Sequence, residues 1–238
     1  MMNLSKRKGP LYLQIKNILK DRISHGVYAL NENIPAEPQL EKEFEVSKIT
    51  IRNAINELVQ EGYLEKKSGK GTKVIRNTIT SKLSKGKRFT EILVGSGHKI
   101  HKQLIQAEII KNELGTEQYG LFDEYCLRIE RLYHFNDVPY IHFTHYLTTG
   151  MEEIELADLE KQSLYGLIEE EGISLEKFRD EFAAVAAPPD IAKVLGIEEG
   201  APTLKRMRYA YDEAGNIVEN SIGYYNTEMQ NYIVNYDV

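Results

Sequence analysis

Two short segments, residues 47–52 and residues 68–72, constrain the fold of this chain more than any others. The first reads Ser-Lys-Ile-Thr-Ile-Arg. Its Ser47 can cap a helix, because a serine hydroxyl accepts a hydrogen bond from an unpaired amide of the first turn. The second reads Ser-Gly-Lys-Gly-Thr, and its glycines permit the positive φ of a tight turn. Together they predict a capped helix followed by a hairpin, both bearing cations.

Three helices are predicted before that hairpin. Pro10 marks the start of the first, whose apolar residues recur at helical spacing until Gly26. The second covers residues 35–44, and the third follows Ser47 and ends at Gly62. The buried stripe of the third helix is predicted to consist of Ile51, Ile55, Leu58 and Val59. Two short strands, 63–67 and 72–75, flank the glycine turn.

Positive charge is concentrated near the N-terminus. The whole chain has a formal net charge of −6, but residues 1–88 hold 18 Lys and Arg against 9 Asp and Glu. Residues 89–238 hold 12 against 27. Such asymmetry is typical of a basic module that binds a polyanion, joined to an acidic module with another task.

The polar face of the third helix has the composition of a DNA-recognition helix. Lys48, Arg52 and Asn56 follow one another at intervals of four residues, and such side chains reach base edges and phosphates in a major groove. An ordinary solvated face is the alternative, but the basic hairpin that follows favours DNA. The residues predicted to contact DNA are Ser47, Lys48, Thr50, Arg52, Asn53, Ser68, Gly69, Lys70, Gly71 and Thr72.

Residues 9–75 resemble the N-terminal domain of the GntR family of bacterial transcription regulators. Five motifs occur in the family's order: Pro10-Leu11-Tyr12, Ile34-Pro35-Ala36-Glu37, Val46-Ser47-Lys48-Ile49-Thr50-Ile51-Arg52, Glu61-Gly62-Tyr63-Leu64 and Gly69-Lys70-Gly71-Thr72. The resemblance implies a winged helix-turn-helix that binds a pseudo-palindromic operator as a homodimer.

Two positions depart from the family pattern. The family usually has arginines that contact DNA where this chain has Pro38 and Lys48. Proline cannot replace a guanidinium, and lysine lacks the bidentate fork that reads guanine. We therefore expect a half-site that differs from those of better-known relatives, or a heavier reliance on phosphate contacts from the hairpin and from the arm Lys6-Arg7-Lys8.

The acidic module is predicted to be an α+β domain with a mainly antiparallel sheet. The predicted strands cover residues 105–110, 125–133, 140–147, 203–211 and 217–225, and the predicted helices cover 164–171 and 190–195. Residues 76–88 are polar and are predicted as a linker or, in part, as an additional strand.

Two strands of this module carry informative polar residues. Arg131 lies on an otherwise apolar face of its strand, where a lone charge is costly unless it is paired. Its partner is predicted to be an anionic ligand or a buried glutamate. Glu219, Ser221 and Tyr225 share one face of the last strand. Helix starts near Thr90 and Ser163 could add anion-binding amides, although most such caps are only caps.

Residues 87–236 resemble the UTRA effector domain of the HutC-type branch of GntR regulators. The matching residues are Arg88-Phe89-Thr90-Glu91, Arg131-Leu132, Pro139, Tyr146-Leu147, Ser163-Leu164-Tyr165, Gly196, Gly200-Ala201-Pro202, Glu219 and Tyr225. The resemblance implies a chorismate-lyase-like fold used for binding, not turnover. It also implies that Arg88, Phe89, Thr90, Glu91, Arg131, Ser163 and Tyr165 hold a phosphate, while Glu219 and Tyr225 approach sugar hydroxyls.

An enzyme is the weaker interpretation. His142 and His145 fall three apart in a predicted strand and so point to opposite faces, which prevents a shared metal site. We predict no catalytic residue, no metal and no cofactor. Two alternatives remain: a lyase-like activity of the second domain, and an interaction scaffold that keeps the winged-helix fold without binding DNA. The scaffold would have no affinity for duplex DNA even at low salt.

The sequence thus predicts a ligand-responsive transcription regulator, a repressor, with a small anionic effector, and it favours a sugar phosphate. A non-phosphorylated small acid or amine is the alternative effector. The predicted domains are 1–75 for DNA binding, 76–88 as linker and 89–238 for effector binding. The single cysteine, Cys126, and the lack of any run of about 18 apolar residues predict a cytoplasmic protein without a membrane partner.

Overall fold

The computed structural model describes residues 10–24, 26–76, 100–150, 154, 158–159 and 163–232. The first part of the chain forms helices α1 (Leu11–Ser24), α2 (Glu37–Phe44) and α3 (Lys48–Gln60), followed by strands β1 (Leu64–Lys67) and β2 (Gly71–Val74). The second part forms β3 (Ile100–Lys111), α4 (Glu117–Phe122), β4 (Tyr125–Phe135), β5 (Val138–Leu147), α5 (Leu164–Glu170), β6 (Leu175–Ala186), α6 (Pro189–Leu195), β7 (Pro202–Asp212) and β8 (Ile217–Tyr225).

The first three helices pack around one apolar core and carry the β1–β2 hairpin at its edge. Ile15, Leu40 and Leu58, one from each helix, are fully buried together. The hairpin is antiparallel, and the segment before α2 is bonded to β2, with the Ile34 amide donating to the Thr72 carbonyl at 2.9 Å. This arrangement is a winged helix-turn-helix, as predicted.

The second part is built on a six-stranded antiparallel sheet in the order β3-β4-β5-β8-β7-β6. Helix α5 covers one face of the sheet, where Leu164, Leu167 and Ile168 pack on residues of β4 and β5. Helix α6 covers the other face and buries Ile191 and Leu195. The predicted α+β class and antiparallel sheet are confirmed.

Two elements were not predicted, strand β6 and the short helix α4. The apolar residues Phe178, Phe182 and Val185 of β6 are spaced as i, i+4 and i+7, which is a helical pattern. Strand β6 lies at the edge of the sheet, and most of its residues are exposed or half-buried, so its strand alternation is weak.

Among the described residues, no helix is long and apolar enough to cross a membrane. Residues 77–99, which include most of the predicted linker and the predicted helix start at Thr90, lie outside the described part of the chain.

Candidate nucleic-acid interface and ligand site

The start of α3 is capped as its sequence predicts. Ser47 is the N-cap residue, and its hydroxyl oxygen accepts a hydrogen bond from the Thr50 amide at 3.4 Å. The helix buries Ile51 and Leu58 against α1 and α2. Because the core occupies that side, the cationic residues Lys48 and Arg52 point outward and are exposed.

Glu37, the first residue of α2, bridges α3 and the β1–β2 hairpin. Its carboxylate lies 3.3 Å from Arg52 Nη2 and 3.3 Å from Lys66 Nζ, and Lys66 Nζ also donates to Asn56 Oδ1 at 3.0 Å. Burial alone would raise the pKa of Glu37, but the hydrogen bonds and charges of Lys66 and Arg52 outweigh it and lower the pKa. Pro38 follows in the first turn of α2 and is exposed.

The tip of the hairpin requires its two glycines. Gly69 and Gly71 have φ values of +73° and +94°, which side-chain-bearing residues rarely adopt. A Cβ atom on Gly71 would also lie 3.0 Å from Asn33 Nδ2, which itself donates to the Lys70 carbonyl at 2.9 Å. The backbone of this turn therefore approaches its neighbour closely while the side chain of Lys70 remains exposed.

All ten residues predicted to contact DNA lie at the surface of α3 and the hairpin. Thr50 and Thr72 are half-buried, and the other eight are exposed. The Lys66–Asn56 and Lys66–Glu37 contacts bring the two elements together. Their contact with DNA remains a prediction.

One face of the six-stranded sheet, here called the polar face, carries an unusual set of buried polar residues. Arg131, Arg206, His145 and Ser221 are the buried polar members of two neighbouring rows of paired residues. The first row is Ile129, His145, Ser221, Arg208 and Asp180, and the second is Arg131, Phe143, Gly223, Arg206 and Phe182. Residues paired across neighbouring strands project from the same face. The site is therefore assembled from β4, β5, β8, β7 and β6.

Four buried polar atoms on this face have no hydrogen-bond partner among the described residues. They are Nε of Arg131, Nε of Arg206, Nε2 of His145 and Oγ of Ser221. Buried polar groups in proteins are nearly always paired, so a cluster of unpaired ones indicates a place for a polar molecule. All four belong to the two rows of the polar face.

Arg131 is 1% exposed, and its Nη2 donates to the main-chain carbonyl of Leu159. No carboxylate forms an ion pair with Arg131 within the described ranges. The predicted buried glutamate is therefore not what pairs with it there. A carbonyl leaves the charge unbalanced, so the prediction of an anionic ligand stays open.

Glu219 is fully buried and already has two neighbours. Its Oε1 lies 2.8 Å from His145 Nδ1, and its Oε2 lies 3.5 Å from the hydroxyl of Tyr165 on α5. Burial lowers the pKa of His145 despite the opposing effect of Glu219, so the imidazole is neutral at pH 7. Because a carboxylate only accepts, the tautomer with a proton on Nδ1 fits this contact and leaves Nε2 as an acceptor.

The other predicted effector residues are only partly brought together. Tyr225 is buried on the polar face, two residues after Gly223 of the second row. Ser163 is the N-cap residue of α5, and its side chain makes no capping hydrogen bond. The remaining four, Arg88, Phe89, Thr90 and Glu91, lie outside the described residues.

Sequence reasoning missed Arg206 and Arg208, which project into the polar face from β7. Arg208 forms two hydrogen bonds of 2.6 Å with the carboxylate of Asp180. Burial alone would raise the pKa of Asp180, but the bonds and charge of Arg208 outweigh it and lower the pKa. One sequence signal could have identified them: Arg206 and Arg208 are two residues apart in a predicted strand and therefore lie on the same face.

A buried ion pair links the winged helix to the polar face. Lys102 on β3 shares that face with Arg131, and its Nζ lies 2.7 Å from Asp21 Oδ2 on α1. Both side chains are less than 10% exposed. Burial and the charge of Arg131 lower the pKa of Lys102 to about 8 despite the attraction of Asp21, so the ammonium is still mostly charged at pH 7. A second contact joins the Asn17 side chain to Glu170 at the end of α5.

Gly223 makes room for the ring of Phe143, which lies over it. A Cβ atom at position 223 would lie 2.4 Å from Phe143 Cε1. We expect Gly223→Ala to displace the ring and to lower the free energy of unfolding by about 1–3 kcal/mol, measured by urea denaturation. Gly120→Ala in α4 is the matched control, because its Cβ would meet no atom within 4 Å and should cost nothing. Equal effects of the two changes would contradict this packing.

Comparison with known proteins decides the family. The model of the bacterial regulatory proteins of the gntR family matches residues 11–74, and the UTRA domain model matches residues 95–230. The chain belongs to the GntR family and carries a UTRA domain. The first match covers the winged helix, and the second contains the whole six-stranded sheet.

Relatives of this GntR-family chain are transcription regulators. It is 28% identical to the HTH-type transcriptional repressor NagR of Bacillus subtilis (strain 168), over 98% of this chain and 97% of NagR. It is 28% identical to the probable fructoselysine utilization operon transcriptional repressor of Escherichia coli (strain K12), over 85% of each chain. The crystal structure of PhnF from Mycobacterium smegmatis shares the fold, with a TM-score of 0.54 and 21% identity over 92% of this chain and 97% of PhnF.

Family membership settles the broad class of function. These domains and relatives are those of transcription regulators and not of enzymes. The GntR domain contains the predicted DNA-contacting surface, and the UTRA domain contains the polar face with its four unpaired atoms.

Proposed function

We propose that the chain is a homodimeric repressor whose operator affinity changes when a small anion, a sugar phosphate, binds on the polar face of the UTRA domain. The observation that carries this proposal is a cluster of four buried polar atoms that have no partner within the described ranges, contributed by Arg131, Arg206, His145 and Ser221. Three of the four belong to residues that can donate to an oxyanion, and two of those are cations.

The charge of the polar face favours an anion over an amine. Its described cations are Lys102, Arg131, Arg206 and Arg208, and its described carboxylates are Asp180 and Glu219, joined by Asp21 from α1. Positive charge is in excess even when Asp21 is included. Because buried charge without a partner is costly, a bound anion would stabilise this face and a bound amine would not.

Hydroxyl-bearing ligands suit the rest of the site. The His145 Nε2 atom can accept a hydrogen bond, the Ser221 hydroxyl can donate and accept, and Tyr165 lies above them on α5. The name of the Escherichia coli relative refers to fructoselysine, a sugar derivative, which supports a sugar-linked ligand here. A non-phosphorylated small acid is the alternative effector.

A melting-temperature comparison tests the proposed ligand class. A ligand that binds only the folded state stabilises it by RT ln(1 + [L]/Kd), and so raises the melting temperature more as its concentration exceeds Kd. We expect glucosamine 6-phosphate or another hexose 6-phosphate to raise the melting temperature of the full chain, while the same sugars without phosphate do not. A rise with the free sugars or with amines alone would contradict the anion site.

The operator is proposed to be pseudo-palindromic, with half-sites about one helical turn apart, as expected for a dimer of winged helices. Ligand binding would alter the placement of the winged helix through the Asp21–Lys102 pair. Lys102 pairs with Tyr133, which follows Arg131 on the same face of β4, so Lys102 and Arg131 are diagonal neighbours. An anion at Arg131 would therefore attract Lys102 in competition with Asp21.

Asp21→Asn tests this connection between the domains. Removing the carboxylate removes the competitor of the ligand while leaving Arg131 in place. We expect ligand affinity to stay equal or to increase. The ratio of operator affinity without ligand to operator affinity with ligand should fall at least about threefold, because the variant loses part of a coupling free energy that is typically about 1–3 kcal/mol. Fluorescence anisotropy of a labelled operator measures the ratio, and calorimetry measures ligand affinity.

Glu176→Gln, an exposed carboxylate on β6, is the matched control and should leave both quantities unchanged. A normal ratio in the Asp21→Asn variant would show that the ion pair does not transmit ligand binding.

A further inference from the structure

Arg206 differs from Arg208, the other arginine of β7, in the groups that surround it. It is 8% exposed, and its Nη1 lies at a long 3.5 Å from the hydroxyl of Tyr232, while its Nε has no partner among the described residues. Arg208, two positions away, is paired with Asp180 through its Nε and Nη2 atoms. In the described part of the chain, no ion pair joins Arg206 to a carboxylate. A buried guanidinium in this condition retains donors for a ligand.

Arg206 and Arg131 lie in the same row of the polar face, with Phe143 and Gly223 between them. Since neighbouring strands are about 4.8 Å apart, three strand spacings separate their Cα atoms by roughly 14 Å. The two arginines therefore enter the site from strands on either side of Phe143 and Gly223.

The floor between the two arginines is aromatic. The Phe143 ring covers Gly223, and the Arg206 guanidinium lies 5.1 Å from the centre of that ring and 5.7 Å from the centre of the Tyr225 ring. The faces of these rings hold the guanidinium in place by cation–π contact but accept no conventional hydrogen bond from it. The Phe143 side chain likewise offers no hydrogen-bond acceptor to a ligand hydroxyl. The chemistry at this end of the site thus complements a second acidic group.

We propose that Arg206 is a second anion subsite and that the effector carries an acid at each end, a phosphate bound by Arg131 and a carboxylate bound by Arg206. The corresponding ligand class is the phosphorylated sugar acids. This inference rests on the proposed function, because it presupposes that Arg131 binds the phosphate.

A matched pair of compounds tests the inference. 6-Phosphogluconate and sorbitol 6-phosphate are open six-carbon chains with the same phosphate, and they differ at carbon 1, which is a carboxylate in one and a hydroxymethyl group in the other. We expect the full-length protein to bind 6-phosphogluconate at least about tenfold more tightly by calorimetry, as expected for a charge-assisted hydrogen-bonded pair.

Arg206→Met should remove that preference. We expect its affinity for 6-phosphogluconate to fall at least about tenfold, while its affinity for sorbitol 6-phosphate changes less than about threefold. Arg206→Lys keeps the charge but loses the bidentate fork, so it should retain an intermediate preference. Lys205→Met, on the same strand and the opposite face, is the control and should behave as the unaltered protein. Melting temperatures of all variants report whether each is folded.

Three results would overturn the inference. Equal losses for both compounds in Arg206→Met would place Arg206 at the phosphate, and unchanged binding of both would leave it a packing residue. After either of these two results, a loss of binding of both compounds in the Arg131→Met variant would still support an anion site at Arg131. Failure of the unaltered protein to bind either compound would overturn this inference, whereas the sugar-phosphate proposal would fail only if glucosamine 6-phosphate and other hexose 6-phosphates also left the melting temperature unchanged.

Discussion

Replacement of Arg131 by Met is expected to abolish the response to ligand while operator binding without ligand stays normal. The guanidinium is almost completely buried, and in the described part of the chain the acceptor bonded to it is a main-chain carbonyl. Its loss removes the cation and the charge-assisted hydrogen bonds that it is proposed to donate to the ligand, and two such bonds would correspond to a fall in anion affinity of roughly 100-fold or more. Anisotropy of a labelled operator, titrated with ligand, measures the response.

Arg128→Met is the matched control for this change. Arg128 lies on the same strand but on the opposite face, where its guanidinium contacts Glu108 at 3.2 Å and is also bonded to Glu130. Methionine fills much of the volume of arginine, so neither variant should lose its fold. The control should respond as the unaltered protein does. A normal response in the Arg131 variant would refute the anion site.

Replacement of Arg52 or Lys70 by Ala is expected to have the converse effect, weakening operator binding without altering ligand affinity. Arg52 lies on the exposed face of α3, held beside Glu37, where it can reach base edges in a major groove. A base contact of this kind contributes about 1–3 kcal/mol, so Arg52→Ala should weaken operator binding about 5–150-fold and relax its sequence preference.

Lys70 at the tip of the hairpin is expected to contact phosphate. Its replacement by Ala should weaken binding to all sequences alike and reduce the slope of log affinity against log salt by about 0.9. Lys193→Ala, an exposed cation on α6, is the control and should preserve both the affinity and the slope. If Lys193→Ala weakens operator binding as much as Lys70→Ala does, the hairpin has no special role.

Local sequence signals predicted the winged helix closely. The cap at Ser47, the positive φ of Gly69 and Gly71, and the apolar stripe of α3 each depend on residues near one another in the chain. Such features are set by backbone conformation and helical periodicity, which a sequence displays directly. The observed third helix, Lys48–Gln60, accordingly starts where it was predicted to start.

The candidate ligand site could be predicted less completely, because it is assembled from five strands. Arg131 was identified because its charge interrupts an apolar face. Arg206 was not identified, because its relation to the candidate site depends on its lying in the same row as Arg131, three strands away. The Asp21–Lys102 pair joins residues 81 positions apart, and no local pattern links them. Strand β6 was missed because its phenylalanines have helical spacing.

The central claim is that an anion on the polar face changes the affinity of the winged helix for DNA. The most direct measurement is fluorescence anisotropy of an operator duplex, selected from random sequence and titrated with the full-length protein. The titration is run with 6-phosphogluconate, sorbitol 6-phosphate or glucosamine 6-phosphate, and with the same compounds lacking phosphate. We predict that at least one phosphorylated compound changes operator affinity about tenfold or more, and that none of the dephosphorylated compounds does. Operator affinity that is indifferent to every phosphorylated compound but responds to a neutral sugar or an amine would contradict the claim.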